Sequence, residues 1–362
     1  WMVYTNNMKM NYISSSMLSR NMVPMSCRVS DAIEILQENE LKICLIIDED
    51  GRLTGTVTDG DVRRGLLNGY TLDTIVGLIM CQKPWWIDEK KTPTSELLNL
   101  MIEQKIPAFP VLNSSHTVVG AFVLEHNILN GVIENELLIM AGGFGKRLKP
   151  LTNNVPKPMV EINGKPMLEQ IILRAAAEGF INITISVFHL SEIIENYFGS
   201  GERFGVKIKY LREDKPLGTG GALSLMSPRP KKPFLVTNGD LVTSVSFRKL
   251  LNFHEKTLSV ATIAIKEHKM TNPFGVVSMK GDKIIGFEEK PTYVSNINAG
   301  VYAYNPEIIN CLKPSEVIDM PSLLERCIAS SMSVTAFPIH EKWSDVGRPG
   351  DLYALDQSYK DL

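Results

Sequence analysis

The apolar run Leu137-Leu138-Ile139-Met140-Ala141 leads directly into Gly142-Gly143-Phe144-Gly145-Lys146-Arg147. An unbroken apolar run of this length reads as a strand buried on both faces, as in sheets covered by helices on either side. A glycine-rich loop straight after such a strand offers backbone N–H groups to an anion without side-chain obstruction. Together they call for an α/β layer structure with a phosphate-bearing ligand at the strand ends. Spacing excludes two familiar phosphate loops. A P-loop needs Lys followed by Ser or Thr, but Lys146 is followed by Arg147. A dinucleotide fingerprint needs a third glycine where Leu148 stands, which disfavours a dehydrogenase.

The segments that follow keep the α/β pattern. The turn Asn163-Gly164-Lys165-Pro166 precedes a helix MLEQIILRAAAEG closed by Gly179, and then a strand NITISVF. Ser191 is expected to cap the helix EIIENYFG. The strand VKIKYL comes next, followed by FLVTNGD, the helix SFRKLLNFHEK, the strand SVATIAI and a hairpin around Gly281-Asp282. This alternation predicts a Rossmann-like, three-layer α/β domain with a mainly parallel sheet over residues 136–362.

The first third carries an internal repeat. A helix DAIEILQENE, a strand ICLII, the turn Asp48-Glu49-Asp50-Gly51, a strand LTGTV and a helix DVRRGLLNG form one copy. The other runs in the same order, with a helix SELLNLMIEQ, a strand FPVL, the turn Asn113-Ser114-Ser115-His116, a strand VVGAFVL and a helix HNILNG. Gly55 answers Gly120, and Gly69 answers Gly131. Each copy can bury its apolar face only against the other, so residues 15–135 are expected to form one two-repeat module. Residues 1–14 are expected to be an N-terminal extension or a cloning remnant. The short junction Glu134-Asn135-Glu136 predicts domains packed together rather than loosely tethered.

Lys plus Arg total 38 against 40 Asp plus Glu, a net charge of −2, so no basic excess points to nucleic acid or an anionic membrane. No apolar stretch is long enough to span a bilayer, and the first residues lack the apolar centre of a signal peptide. The five cysteines are scattered without a C-x-x-C pair, as expected of free thiols in a reducing cytoplasm.

The run AGGFGKRLKPLTNNVPKPMVEINGKPML resembles the signature of the sugar-1-phosphate nucleotidylyltransferases, in the branch of the hexose-1-phosphate thymidylyl- and guanylyltransferases. Further matches at LGTGGAL, NGD, FEEKP, NAGVY and WSDVGRPGDL extend the resemblance through most of residues 137–355. It implies Mg²⁺-dependent transfer of a nucleoside monophosphate from an NTP to a sugar 1-phosphate, with release of pyrophosphate. Such chemistry rests on positioning several anions and neutralising their charge. Arg147 can form a bidentate fork on the leaving phosphates, and Lys157, between Pro156 and Pro158, offers a second cation; both are candidate catalytic residues. Asp240 ends a buried strand, where a carboxylate faces the ligand crevice. The resemblance implies that Asp345, in WSDVG, completes a metal-binding pair with it. It also assigns Ala141, Gly142, Gly143, Gly145, Glu213, Gly218 and Thr219 to the nucleotide, and Glu289, Lys290, Asn298 and Gly300 to the sugar phosphate. Gly220 stands where most members of the family carry alanine. A non-catalytic relative that only binds sugar nucleotides would be expected to lose a key cation or aspartate, and all are present here.

The repeats resemble a cystathionine-β-synthase (CBS) domain pair, a module that often binds adenine nucleotides, so the N-terminal part is expected to be a tandem α+β CBS module. In the first copy Thr58 and Asp61 match the positions that hold phosphate and ribose, with Arg63 and Arg64 one turn on. They equally suit the capping of a helix start. The second copy places Val123 and His126 there instead. CBS pairs commonly self-associate, so a homo-oligomer is expected. Trp85-Trp86 suits inter-domain packing better than an exposed partner patch. Paired repeats ahead of a transferase are similar to bacterial guanylyltransferases acting on an amino-hexose 1-phosphate. That likeness favours GTP with a glucosamine-like or mannose-like phosphate and leaves thymidylyl and cytidylyl transfer open.

Overall fold

The computed structural model describes residues 10–38, 41–91, 99–101, 106, 108–124, 131–347 and 349–352. The chain divides into two compact units, Trp1–Gly131 and Val132–Leu362.

In the first unit, strands β1 (Met10–Ser14), β2 (Met22–Pro24), β3 (Ile43–Ile47) and β4 (Leu53–Thr58) precede β5 (Ile87–Asp88), β6 (Ala108–Leu112) and β7 (Val118–Leu124). Helices Val29–Glu38 and Asp59–Leu67 belong to the first copy. The second copy's expected helices, at residues 95–104 and 126–131, fall largely outside the described residues, as does His126. The strands repeat in detail. β2 runs parallel to β3 and β3 antiparallel to β4, with a register shift at Ile46/Ile47. β5, β6 and β7 do the same, with the shift at Val111/Leu112.

The turns match as well. Asp48 Oδ1 accepts from the N–H groups of Asp50 and Arg52, and Asn113 Oδ1 accepts from those of Ser115 and Thr117. Gly51 (φ 74°) and His116 (φ 60°) take the same left-handed conformation, which the non-glycine residue adopts at a steric cost. The turns then hydrogen-bond reciprocally: Leu53 N–H to His116 O at 3.1 Å and Val118 N–H to Gly51 O at 3.3 Å. The copies are thus related by an approximate two-fold through the Arg52–Thr117 bridge.

Met10–Ser14, at the end of the stretch expected as an extension, pairs antiparallel with β7 from Leu124 to Gly120. Tyr12 explains Gly120, where a Cβ would lie 2.3 Å from the phenol oxygen. Trp85 and Trp86 are both exposed, with Trp86 edge-on to His116.

In the second unit, the hydrophilic stretch before β8 (Leu137–Met140) is fixed by its own polar groups. Glu134 O accepts from Asn182 Nδ2, and Asn135 Nδ2 donates to Pro233 O, both at 2.8 Å. The contact division therefore falls ahead of these residues rather than after them. A hairpin of β9 (Glu161–Ile162) and β10 (Lys165–Pro166) turns on Asn163 and Gly164, both at positive φ. There follow β11 (Asn182–Val187), β12 (Lys207–Arg212), β13 (Phe234–Asn238), β14 (Leu241–Thr243), β15 (Ala261–Thr271), β16 (Val276–Lys280), β17 (Lys283–Glu288), β18 (Thr292–Tyr304), β19 (Val334–Ile339) and β20 (Trp343–Asp345).

The main sheet has the order β12-β11-β8-β13-β18-β15-β19, with β18 alone running against its neighbours. The sheet is thus mainly parallel. Leu137 and Ile139 face one core together with the helices Met167–Ala177 and Phe247–His254, whereas Leu138 faces the other with Leu323 and Leu324 of the helix Met320–Ala329. Period-two alternation on a strand buried from both sides makes the three layers. Ser246 caps its helix by accepting from Lys249 N–H. Ser191, in contrast, is the first residue of its own helix and caps nothing; the preceding Leu190 is left-handed instead. Among the described residues no helix is long and apolar enough to cross a membrane.

Candidate active site

The cleft follows from the strand order. β8 feeds the chain towards β11 on one side, while β13 lies on its other side, with Asn238 level with Met140. Loops leaving two adjacent parallel strands in opposite directions open a crevice at their C-terminal ends. A cleft of about 250 Å³ lies there, lined by Gly142, Gly143, Phe144, Lys157, Glu213, Gly218, Thr219, Asn238, Asp240 and Asp319 among others.

Lys157 lies in the turn Lys157–Met159 and is buried (8% exposed). Its ammonium pairs with Asp240 Oδ2 and lies 3.8 Å from Asp345 Oδ1. The two aspartates, far apart in sequence, are joined by a short ladder in which β14, directly after Asp240, runs antiparallel to β20 with Leu241 opposite Asp345. Asp345 has its pKa pushed up, first by burial and then by the neighbouring Asp240, against the opposing pull of Lys157 and Arg147. Arg147 is exposed beside these groups, its guanidinium close to Gly347.

The glycines of the loop do different work. Gly145 is left-handed (φ 62°), and a Cβ there would be 3.0 Å from both Lys157 Cβ and Thr152 Cγ2, so only glycine lets the loop seat on Lys157. Gly142 lies against Glu213, 3.1 Å from Oε1 to the position of a Cβ. Gly143 meets nothing within 4 Å and faces open space. Ala141 is buried, and its N–H donates to Ser186 O, so it supports the loop and does not line the cleft.

Across the cleft, Glu213 is held by Ser186 Oγ at 2.7 Å and Leu217 N–H at 2.9 Å. The segment Leu217–Gly221 is tied to residues 318–320: Gly220 and Gly221 donate to Ile318 O, and Met320 N–H donates to Thr219 Oγ1. A Cβ on Gly221 would be 2.2 Å from Glu316 O, and one on Gly218 2.6 Å from Ile318 O. These two glycines are therefore explained first by this backbone packing. At Gly220 the nearest atoms are 3.2 Å away, tight but close to what alanine tolerates.

The sugar-phosphate candidates are not all brought to the cleft. Gly300 (φ 70°) packs on the Asn238 amide, and Asn298 is fixed by accepting from Gly300 N–H and donating to Tyr302 Oη. Glu289 and Lys290 stand exposed at the turn between β17 and β18, with the Glu289 carboxylate beside Gly275. The sequence reading missed Asn238, whose Oδ1 is buried without a partner although it lies in the NGD triplet. It also missed Asp319, which reaches the cleft as the residue before a helix and carries no sequence signal. Phe144 packs edge-on against Phe188 and beside His189 at the cleft mouth.

In the first unit Asp61 is buried and committed, Oδ2 accepting from Thr58 N–H at 2.8 Å and from Thr58 Oγ1 at 2.6 Å, while Oδ1 pairs with Arg64. Arg63 pairs with Asp59. These contacts cap and brace the helix Asp59–Leu67.

A three-layer sheet with a glycine loop and a carboxylate–lysine floor at its switch point defines an α/β phosphate-handling protein. The family described as nucleotidyl transferase matches residues 136–361, and the chain belongs to it. The CBS domain family matches residues 17–68, the first of the two copies. Curated relatives include a mannose-1-phosphate guanyltransferase of Yarrowia lipolytica, 36% identical over 59% of this chain and 61% of its own length. Another from Kluyveromyces lactis is 37% identical over 59% and 62%. The match thus spans less than two thirds of these relatives. Among solved structures, HddC from Yersinia pseudotuberculosis superposes with a TM-score of 0.50 at 25% identity, over 62% of this chain and 99% of that one. A putative glucose-1-phosphate thymidylyltransferase from Bacillus anthracis gives 0.52 at 24%, over 63% and 96%, which bears on the fold alone.

Proposed function

We propose that the chain transfers the nucleoside monophosphate of GTP to a hexose or amino-hexose 1-phosphate, releasing pyrophosphate. The observation that supports this most is the Lys157 ammonium set between Asp240 and Asp345 beneath the glycine loop. It supplies a cation for the phosphates and two carboxylates at one point of the cleft. Two carboxylates are a hard oxygen donor set that fits Mg²⁺, which would neutralise phosphate charge and activate the sugar phosphate when bound.

The chain's own residues account for the rest. The Gly142-Gly143 backbone admits the phosphates closely, Lys157 and Arg147 neutralise them, and the Asn238–Gly300–Asn298 set holds the acceptor end. Glu213 offers a carboxylate edge, which complements the adjacent N1–H and N2–H donors of guanine and is mismatched to the N1 acceptor of adenine. The names of the curated relatives agree with that base. Arg147, Lys157, Asp240, Lys290 and Asp345 are all present, which favours catalysis over a purely sugar-nucleotide-binding regulator.

The CBS module is assigned a structural role, because Asp61 is already spent on its helix cap; an adenine nucleotide at Thr58 and Asp61 is the second reading. A homo-oligomer and a cytoplasmic location complete the proposal. The test is pyrophosphate release from each NTP against a panel of hexose 1-phosphates, with and without chelator. Turnover with GTP that chelator abolishes is expected, and no turnover with any pair from folded protein would overturn the reading.

A further inference from the structure

The strands β16 and β17 form a two-stranded ribbon that pairs with no other strand among the described residues. Its register sorts the side chains. Val277 opposes Phe287, and the bulge after Ser278 sets Ile284 and Ile285 together opposite Met279. Opposed residues share a face, so Val277, Met279, Ile284, Ile285 and Phe287 form one wholly apolar face. The other face carries Ser278, Gly286, Glu288, Lys280 and Lys283, with Val276 at its base opposite Glu288. The ribbon is exposed on both sides, the apolar face included: Phe287 is 79% and Ile285 66% exposed, and the other three are exposed as well. An isolated ribbon of this kind is marginal in water, so an amphipathic one implies a cover.

We propose that this face docks on the same face of a second copy of the chain, about a two-fold axis. Area and charge both favour that occupant. With about 150–250 Å² for the aromatic and somewhat less for each aliphatic side chain, the exposed fractions of the five residues come to roughly 500–600 Å², as much as the largest patch on an ordinary monomer. Two such faces together bury a little over about 1,000 Å², the threshold of a specific contact, so the association is weak and concentration-dependent. Self-pairing also buries no charge, because every charged side chain of the ribbon points away from the contact. A strongly acidic or basic partner would find nothing to pair with on this face. The two-fold further sets the tip Gly281-Asp282 of one ribbon near the base of the other, beside Glu289 and Lys290. The partner would thereby steady the turn that carries two sugar-phosphate candidates.

The test is sedimentation equilibrium of the full chain from about 1 to 100 µM. Wild type is expected to associate, and Phe287→Glu to lower the limiting mass two-fold while keeping the wild-type circular dichroism. Val317→Glu, an exposed apolar position elsewhere, should leave the mass unchanged. If Phe287→Glu does not fold, Ile284→Gln with Ile285→Gln takes its place. A wild-type chain that stays monomeric throughout overturns the proposal, as does a folded ribbon variant with the wild-type mass. A monomer whose ribbon amides are protected from deuterium exchange also overturns it and assigns the face to a segment of the same chain.

Discussion

Substituting Gly221 by alanine tests whether the glycines opposite the phosphate loop serve packing or ligand approach. The added methyl would lie 2.2 Å from Glu316 O and 2.8 Å from Leu217 Cβ, about an ångström inside ordinary contact with a backbone atom that cannot rotate away. The Glu316–Asp319 segment must shift, and with it the hydrogen bonds from Gly220 and Gly221 to Ile318 O. Overpacking of this kind costs roughly 1–3 kcal/mol, which for a unit of this size lowers Tm by about 2–10 °C. Because Asp319 and Thr219 line the cleft from the displaced segment, KM for the NTP should rise together with the loss of stability. Gly143→Ala is the matched control. Its methyl enters open space, so Tm should stay within about 1 °C, a surface-like change, while KM rises because the backbone approach is blocked. Thermal melts and pyrophosphate-release kinetics on both variants decide the matter. A Gly221→Ala protein with the wild-type Tm, or a Gly143→Ala protein as destabilised as Gly221→Ala, would refute the reasoning.

Further outcomes can be measured on the same preparations. Arg147→Lys loses the bidentate fork and should lower turnover about 10- to 100-fold, the equivalent of roughly 1.5–3 kcal/mol, with an unchanged melt; near-wild-type rates would remove Arg147 from the chemistry. Asp345 has a folded-state pKa raised above the unfolded value by burial and Asp240. An acid shifted in that direction stabilises the fold fully below its unfolded pKa and loses that contribution as pH rises through the folded one. At neutral pH its charge therefore opposes folding only slightly, because the side chain is 46% exposed and screened by water. Asp345→Asn should thus leave Tm at pH 7 unchanged or a little higher while abolishing turnover; a clearly lower Tm at pH 7 would show that the pairing with Lys157 outweighs desolvation. Gly220→Ala should cost less than Gly221→Ala in both stability and rate, because its Cβ would lie 3.2 Å from the Ile318–Asp319 backbone, a tight contact relieved by a shift of a few tenths of an ångström. A loss as large as that of Gly221→Ala would contradict the geometry. Titrating AMP or ATP into the full chain should give no heat if Asp61 is committed to its cap; binding that Asp61→Ala removes would restore the nucleotide reading of the CBS module.

The sequence by itself determined the architecture, because its signals are local and periodic. The apolar run Leu137–Met140, the glycines after it and the Gly179 and Gly69 helix ends depend on neighbouring residues, and all appear where the pattern places them. The repeat was legible down to its turns, since Asp48 and Asn113 form the same side-chain-to-backbone bonds. What only tertiary structure decided is which distant groups meet. Asp345 stands beside Asp240 because β20 pairs with β14, a register no local signal encodes. Asp319 reaches the cleft because residues 217–221 fit only against the backbone of 316–319, so glycines that read as a ligand platform are first a packing contact. Likewise the pairing of Met10–Ser14 with β7 is a tertiary fact, since its partner lies far along the chain and strand pairing at long separation leaves little trace in either strand alone.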